Sequence, residues 1–64
     1  MKGVIYKVQA FAGDVQWVCR YAGNKKTADK IALRLSRTFR TVVVEKVGEF
    51  EAEHVNEDWI ERIE

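Results

Sequence analysis

The 64-residue sequence contains no proline, one cysteine, one histidine and four glycines. A single cysteine excludes an internal disulfide, and one cysteine with one histidine cannot supply the four ligands of a structural zinc site. No apolar run approaches the roughly 18 residues that a membrane-spanning helix needs, and the beginning of the sequence has no signal-peptide h-region. We therefore expect a cytoplasmic protein that works in a reducing compartment without a metal or another cofactor.

The composition is that of a folded chain, because 47% of the residues are hydrophobic and 33% are charged. Residues 1–64 are long enough for one small domain only. Domains below roughly 70–80 residues rarely gain more than about 3–5 kcal/mol from a single core. Since disulfides and metals are excluded as additional supports, we expect either very efficient packing or a homodimer.

Charge is distributed unevenly along the chain, although 11 Lys and Arg against 10 Asp and Glu leave a net charge of only +1. Residues 1–44 contain nine cationic and two anionic side chains, whereas residues 45–64 contain eight anionic and two cationic ones. Such an asymmetry indicates an interaction surface or an acidic segment that masks a basic one.

Two alternating segments, residues 4–12 and 15–21, flank Gly13-Asp14 and predict a β-hairpin with a type II′ or I′ turn. A regular register pairs positions 12 with 15, 10 with 17, 8 with 19 and 6 with 21, so that apolar residues face each other. This register places Trp17 and Cys19 on the core face, where a buried thiol is unreactive.

The next segments predict a helix and a third strand. Thr27 is the expected N-cap of the helix, with Asp29 in its first turn. One apolar stripe has helical spacing and consists of Ala28, Ile31, Ala32, Leu35 and Phe39. Residues 41–47 are rich in β-branched side chains and predict a strand. The right-handed crossover rule places this strand parallel to the second one and favours the sheet order 2-1-3.

The last segment is the most ambiguous part of the sequence. Residues 50–54 alternate and allow a fourth, edge strand, and Asn56 can cap a short C-terminal helix that Val55 and Ile60 would fix as a hydrophobic staple. The apolar side of that helix would consist of Trp59, Ile60 and Ile63. The predicted fold class is α+β, a ββαβ core with one covering helix and a short C-terminal helix.

Catalytic chemistry has little support in these residues, and we expect the protein not to be an enzyme. Cys19 is predicted to be buried, His54 has no predicted partner, and the glycines do not form a phosphate-binding loop. A small enzyme that uses Cys19 or His54 is the weakest of the three functional interpretations.

A basic stripe on the predicted helix supports a second interpretation, a DNA- or RNA-binding regulator. The cationic positions lie opposite the apolar stripe, and such a stripe can neutralise phosphates. The predicted nucleic-acid-binding residues are Lys26, Lys30, Arg34, Arg37 and Arg40.

The favoured interpretation is a non-catalytic protein-interaction module that acts as an inhibitor, adaptor or regulator of a larger macromolecule. Leu33 is apolar among cations, and one sheet face is predicted to expose more apolar surface than a small monomer usually does. Either the terminal segment or another protein would cover that face. The predicted partner-binding residues are Leu33, Arg34, Arg37, Arg40 and Trp59. General abundance, rather than any residue, favours an accessory protein of a virus or mobile element.

Three glutamates near the end of the sequence repeat the spacing of three cations on the predicted helix. The glutamates are Glu57, Glu61 and Glu64, and the cations are Lys30, Arg34 and Arg37. If both segments are helical, the two stripes can pair, and we expect the acidic end to lie on the basic surface and to weaken nucleic-acid binding.

Overall fold

The computed structural model describes residues 3–62 of the chain, which form four strands and two α-helices. In chain order the elements are β1 (Tyr6–Ala12), β2 (Val15–Ala22), α1 (Lys25–Leu35), β3 (Thr41–Lys46), α2 (Glu49–Glu53), a 3₁₀ turn (Glu57–Trp59) and β4 (Ile60–Glu61). The sheet order is β3-β1-β2-β4, and β1 is antiparallel to both of its neighbours. The α+β class and the central position of β1 are thus confirmed, whereas β4 was not predicted in this place.

The β1–β2 hairpin forms, but its predicted register is wrong beyond the turn. Ala12 pairs with Val15 as expected, and a β-bulge then shifts the pairing so that Ala10 lies opposite Val18. The bulge leaves Trp17 as the extra residue of β2. Gly13 has φ +61°, and no other type of residue has a positive φ in the described chain. These angles fit a type II′ turn and exclude type I′, which needs two positive values.

The bulge also overturns the prediction that Trp17 and Cys19 face the core, because both side chains are exposed. Beyond the bulge, buried Ala22 shares a sheet face with Val8 and packs near Ala28 of α1. A small side chain at position 22 lets α1 approach the sheet closely, and the larger Tyr21 lies on the opposite face. The shifted register thus places the small Ala22, and not Tyr21, under α1.

The helix α1 covers the sheet face that carries Val8 and Ala22, as its apolar stripe predicted, but it ends at Leu35, so Phe39 of that stripe lies beyond the helix. The half-buried residues of this cluster are Ile31, Ala32 and Leu35 on α1 and Tyr6, Val42 and Val44 on the sheet. The predicted N-cap is wrong by one turn: Asn24 is the N-cap and accepts the Thr27 N–H at 2.7 Å, while Thr27 itself is buried. Asp29 lies beyond the first turn and forms an ion pair with Lys25 at 2.6 Å.

The predicted edge strand over residues 50–54 is wrong, because this segment forms the short helix α2. Glu, Ala and Phe alternate here by sequence, but Glu and Ala are helix formers that are depleted in strands. The predicted C-terminal helix is also wrong within the described residues, where the 3₁₀ turn leads into β4. Asn56 does cap this turn and accepts the Asp58 N–H at 2.9 Å. Ile63 lies outside the described residues.

A second buried cluster lies on the other face of the sheet, under α2 and the residues that follow it. It consists of Ile5, Val47, Ala52, Val55 and Ile60, with Tyr21 packed against it. The chain end after β3 thus folds back over the face that α1 does not cover, which was one of the two sequence-based explanations for its apolar residues. Val55 and Ile60, the predicted staple, are both buried in this cluster.

Candidate functional site

The basic stripe of the sequence becomes an exposed surface on the side of α1 that faces away from the sheet. We call it the basic face, and its residues on α1 are Lys26, Lys30, Leu33 and Arg34. Arg37 and Arg40, in the segment between α1 and β3, are counted with it, and all six residues are exposed. The side chain of Leu33 is 64% exposed although it is large and apolar. The burial of Thr27 and Ala28 on the opposite side of α1 fixes this orientation.

The end of α1 concentrates positive charge where the helix carries its partial negative charge. Arg34 lies in the last turn, and Arg37 donates its backbone N–H to the Arg34 carbonyl at 3.4 Å in the turn that follows. The Ser36 hydroxyl donates to the Leu33 carbonyl at 2.7 Å. Cations near a helix C-terminus are stabilised by the helix dipole. The helix dipole therefore stabilises positive charge at this end of α1, and an ion pair with a carboxylate is not required.

Most acidic residues of the segment after β3 lie on the opposite side of the sheet. We call residues 49–61 the acidic layer, and its carboxylates on this side belong to Glu49, Glu51, Glu53, Glu57 and Asp58. Glu61 pairs with Ala22 and therefore lies on the α1 side. The layer is attached to the sheet face that carries Lys7, whose ammonium group lies 3.4 Å from Glu51. Within residues 3–62, no ion pair joins a cation of the basic face to a carboxylate.

The predicted pairing of the two charged stripes is therefore not found in the described chain. Glu57 binds Arg62 of its own segment at 2.8 Å, and Glu61 lies in β4 beside Ala22. Glu64, the third member of the predicted acidic stripe, lies outside the described residues. The sheet separates the basic face from the carboxylates other than Glu61, and the segment around Glu57 lacks the helical repeat on which the pairing depended.

Lys7 is the main electrostatic link between the sheet and the acidic layer. Its ammonium group lies 3.2 Å from Glu45 on β3 as well as 3.4 Å from Glu51. The hydrogen bond to Glu45 raises the pKa of Lys7, an effect that burial opposes and Glu51 supports. The neighbouring position of Glu45 and Lys7 depended on strand order and was left open by the sequence.

Trp59 lies in the acidic layer and not beside Leu33. Its ring stacks on Tyr21 with a centroid distance of 6.5 Å, and 58% of its surface remains exposed. Burial raises the pKa of the Tyr21 hydroxyl, and the adjacent Cys19 thiol adds to this effect. The predicted partner-binding residues therefore form two surfaces: four belong to the basic face, and Trp59 belongs to the other side of the sheet.

A cavity of about 370 Å³ lies beside this aromatic pair, between the end of β2 and the 3₁₀ turn. Its lining residues are Cys19, Arg20, Tyr21, Asp58, Trp59 and Glu61. The exposure of Cys19 removes burial as the argument against its reactivity, so the prediction of a non-enzyme now depends only on the missing motifs. His54 is exposed, and its Nδ1 lies 2.8 Å from the Phe50 carbonyl. No group of three potential metal ligands occurs among residues 3–62.

Sequence reasoning missed the exposed ring of Trp17 and the stacking of Trp59 on Tyr21. Trp17 is 67% exposed because the bulge removes it from the regular alternation of β2. Periodicity contains no signal for a bulge, and an aromatic residue is more often buried. The start of the Val15–Ala22 strand, beside the hairpin turn, therefore exposes aromatic surface that its alternation assigned to the core.

Comparisons with protein-family models, with curated proteins and with solved structures find no match to this chain. No helix in the described chain is long and apolar enough to cross a membrane.

Proposed function

We propose that this protein is a non-catalytic interaction module that binds an acidic protein surface through the basic face of α1. The observation that carries the proposal is Leu33, a large apolar side chain that is 64% exposed among five exposed cations. Interfaces commonly combine an apolar anchor that becomes buried with charged groups that surround it and steer the partner. An inhibitor, adaptor or regulator would act through such a contact.

The balance of buried and exposed apolar groups supports binding to a protein. Of the large apolar side chains in the described chain, Ile5, Val8, Val47, Val55 and Ile60 are buried. The exposed ones are Val4, Val15, Trp17, Leu33, Val43, Phe50 and Trp59. Apolar side chains mark an interaction site where they belong to a defined surface, and Leu33 is the one among them that lies among the cations of the basic face.

Nucleic-acid binding is the second candidate, and the same cations support it. Lys26, Lys30 and Arg34 share one side of α1 at spacings of four residues, while Arg37 and Arg40 extend the positive surface beyond its end. The carboxylates of the acidic layer other than Glu61 lie across the sheet, and no ion pair within residues 3–62 joins any of them to this surface. Binding to phosphates depends on these cations and does not involve the apolar side chain of Leu33.

Leu33 therefore separates the two candidates. We expect Leu33→Ser to abolish the capture of a protein partner from the native host, because the interface loses its apolar anchor. The double variant Arg34→Glu/Arg37→Glu should abolish it as well. The matched control Arg20→Glu/Lys46→Glu has the same change in charge on the strands β2 and β3 instead of the basic face, and it should retain binding after nuclease treatment.

The opposite pattern would support nucleic acid. In that case Leu33→Ser binds single- and double-stranded oligonucleotides as the wild type does, and Arg34→Glu/Arg37→Glu weakens binding with a shallower dependence on salt. If neither double variant changes the binding of proteins or oligonucleotides, the basic face is not the functional site. Circular dichroism of each variant checks that the fold is retained.

A cytoplasmic location is part of this proposal. The exposed thiol of Cys19 fits a reducing compartment, since an exposed free cysteine is prone to oxidation elsewhere. The role of an accessory protein of a virus or mobile element likewise remains a proposal based on general abundance.

A further inference from the structure

The outer edge of β3 is the most open strand edge in the described part of the sheet. β3 is the last strand on its side of the order β3-β1-β2-β4, and its pairing with β1 runs from Thr41 to Lys46 without a bulge. The other side is protected, because β2 contains a bulge at Trp17 and β4 covers its end. Exposed edges usually carry such protection, since they readily pair with another strand.

The backbone of β3 is oriented for a further pairing. Val47 donates its N–H to the Ile5 carbonyl at 2.8 Å, which identifies this position as hydrogen-bonded to the β1 side. Because the direction alternates in an antiparallel ladder, residues 41, 43 and 45 also point their N–H and C=O groups towards β1. The corresponding groups of Val42, Val44 and Lys46 therefore point outward, along the open edge.

The side chains of β3 match a second copy of the same strand in antiparallel orientation. With Val43 on the two-fold axis, Val43 lies opposite its own twin and Val42 lies opposite the partner's Val44. Both matches are apolar, and the outward groups of Val42 can exchange two hydrogen bonds with the partner's Val44. Thr41 lies opposite the partner's Glu45, on the same sheet face as Val43.

Other registers fit less well. Centring the pair on Val44 would place Val43 opposite a glutamate and Val42 opposite a lysine, and centring it on Glu45 would bring two carboxylates together. Like charges that lie directly opposite each other destabilise a pair of strands. Centring the pair on Val42 would place Val43 opposite a threonine and Val44 opposite an arginine. Only the register centred on Val43 pairs all three valines with valines. Its one like-charge match, Arg40 with the partner's Lys46, lies at the ends of the pair, because Arg40 precedes β3.

We propose that two copies of this chain associate edge to edge through β3, centred on Val43, and join their sheets into one. The side chain of Val43 is 39% exposed in the single chain, and the pairing would cover it with its twin. A second copy also supplies the support that a small domain without disulfide or metal lacks. The dimer does not depend on what the basic face binds, because α1 exposes that face away from the sheet.

The geometry has a functional consequence if the basic face binds a partner. A two-fold axis perpendicular to the joined sheet keeps both α1 helices on the same side. The dimer would therefore present two basic faces in the same direction, and a partner with two acidic sites would be bound more tightly than by either copy alone.

Cysteine cross-linking tests the register. In a Cys19→Ser background, which removes the exposed native thiol, we expect Val43→Cys to form a disulfide-linked dimer under mild oxidation. Residues opposite each other in a pair without hydrogen bonds have Cβ atoms roughly 4.5–5.5 Å apart, close enough for a disulfide after a small adjustment. The matched control is Thr41→Cys in the same background, on the same strand and face. Its twin would lie about 13 Å away, four residues along the strand, so it should not cross-link.

Sedimentation of the full chain tests the association itself. We expect a dimer for the wild type. Val43→Lys should raise the dissociation constant of the dimer roughly tenfold or more, because two ammonium groups would meet on the axis. Thr41→Lys, which would face the partner's Glu45, should remain a dimer. A wild type that sediments as a monomer at all concentrations would overturn the proposal. A dimer that Val43→Lys leaves intact, or in which Thr41→Cys cross-links as readily as Val43→Cys, would also overturn it.

Discussion

The basic face and the acidic layer lie on opposite sides of one sheet and are built in different ways. α1 is a single helix of 11 residues whose apolar side packs on Val8 and Ala22. The acidic layer is assembled from a five-residue helix, a three-residue turn and a two-residue strand. Periodic burial stabilises the first region, whereas the second depends on a few buried residues, the Lys7 ion pairs and the Tyr21–Trp59 stack.

This difference shows how a near-neutral chain can present one strongly basic surface. The cations of α1 and most carboxylates of the acidic layer are placed on different sides of the sheet, although Lys7 of the basic half faces the acidic layer. No ion pair within residues 3–62 joins a cation of the basic face to the acidic layer. The basic face is therefore available to a partner although the net charge is only +1.

The strongest test of the acidic layer is Ile5→Ala. Ile5 is fully buried under this layer, and we expect its truncation to lower the free energy of unfolding by about 2–5 kcal/mol. The same change at Val8 removes fewer carbons beneath α1 and should cost about 1–3 kcal/mol. Urea unfolding followed by circular dichroism measures both values. A loss below about 1 kcal/mol for Ile5→Ala would contradict the packing of the acidic layer on this residue.

The two asparagine caps should give the next largest change in stability. Asn24 accepts the Thr27 N–H at the start of α1, and Asn24→Ala should cost about 0.5–2 kcal/mol. Asn56 makes the equivalent bond to Asp58 in a turn of only three residues. We expect Asn56→Ala to cost less, because fewer residues depend on the cap. Equal losses in thermal unfolding would mean that the two regions are equally cooperative.

The tryptophans provide a matched pair of aromatic side chains. Trp59→Ala removes the stack on Tyr21 and should lower stability by about 0.5–1.5 kcal/mol. Trp17 makes no ring contact within residues 3–62, and Trp17→Ala should leave the unfolding midpoint nearly unchanged. If Trp17→Ala is the more destabilising change, the bulge residue packs more firmly than its exposure indicates.

The smallest expected loss of stability comes from removing the ion pairs of Lys7, and this loss should depend on pH. Lys7→Gln should cost less than about 1 kcal/mol at pH 8, since the ion pairs are partly exposed. The pKa of Lys7 is raised in the folded protein, so its contribution is complete below the ordinary value of 10.5 and is lost as the pH rises through the folded value. Urea titrations at pH 8 and at strongly alkaline pH should therefore show the difference between wild type and Lys7→Gln decrease.

The ionisation of Tyr21 also lowers the stability of the fold at alkaline pH, because burial raises its pKa above the ordinary value of 10.0. The unfolded chain ionises this hydroxyl first, which favours unfolding as the pH rises from there to the folded value. Tyr21→Phe removes this part of the alkaline sensitivity, and Lys46→Gln serves as a control for the loss of a lysine. A constant effect of Lys7→Gln across this range would contradict the role of its ion pairs.

Much of the fold could be predicted where one periodic pattern extends over many residues. The alternation in β1 and the valines of β3 predicted these strands close to their observed bounds, and the apolar stripe predicted α1 and its buried side but extended it past Leu35 to Phe39. The basic stripe was predictable for the same reason, since a helix buried on one side must expose the other. Short segments were not predictable, because the pattern over residues 50–54 fits a strand as well as one helical turn.

The sequence by itself determined the hairpin, the helix, the third strand and the separation of charge along the chain, because each depends on local periodicity and turn chemistry. Only the tertiary structure decided the bulge at Trp17, the position of Trp59 on Tyr21 and the fold-back of the acidic layer. These features depend on which side chains fit under α1 and against Ile5. Such fits involve residues distant in sequence, and no local pattern encodes them.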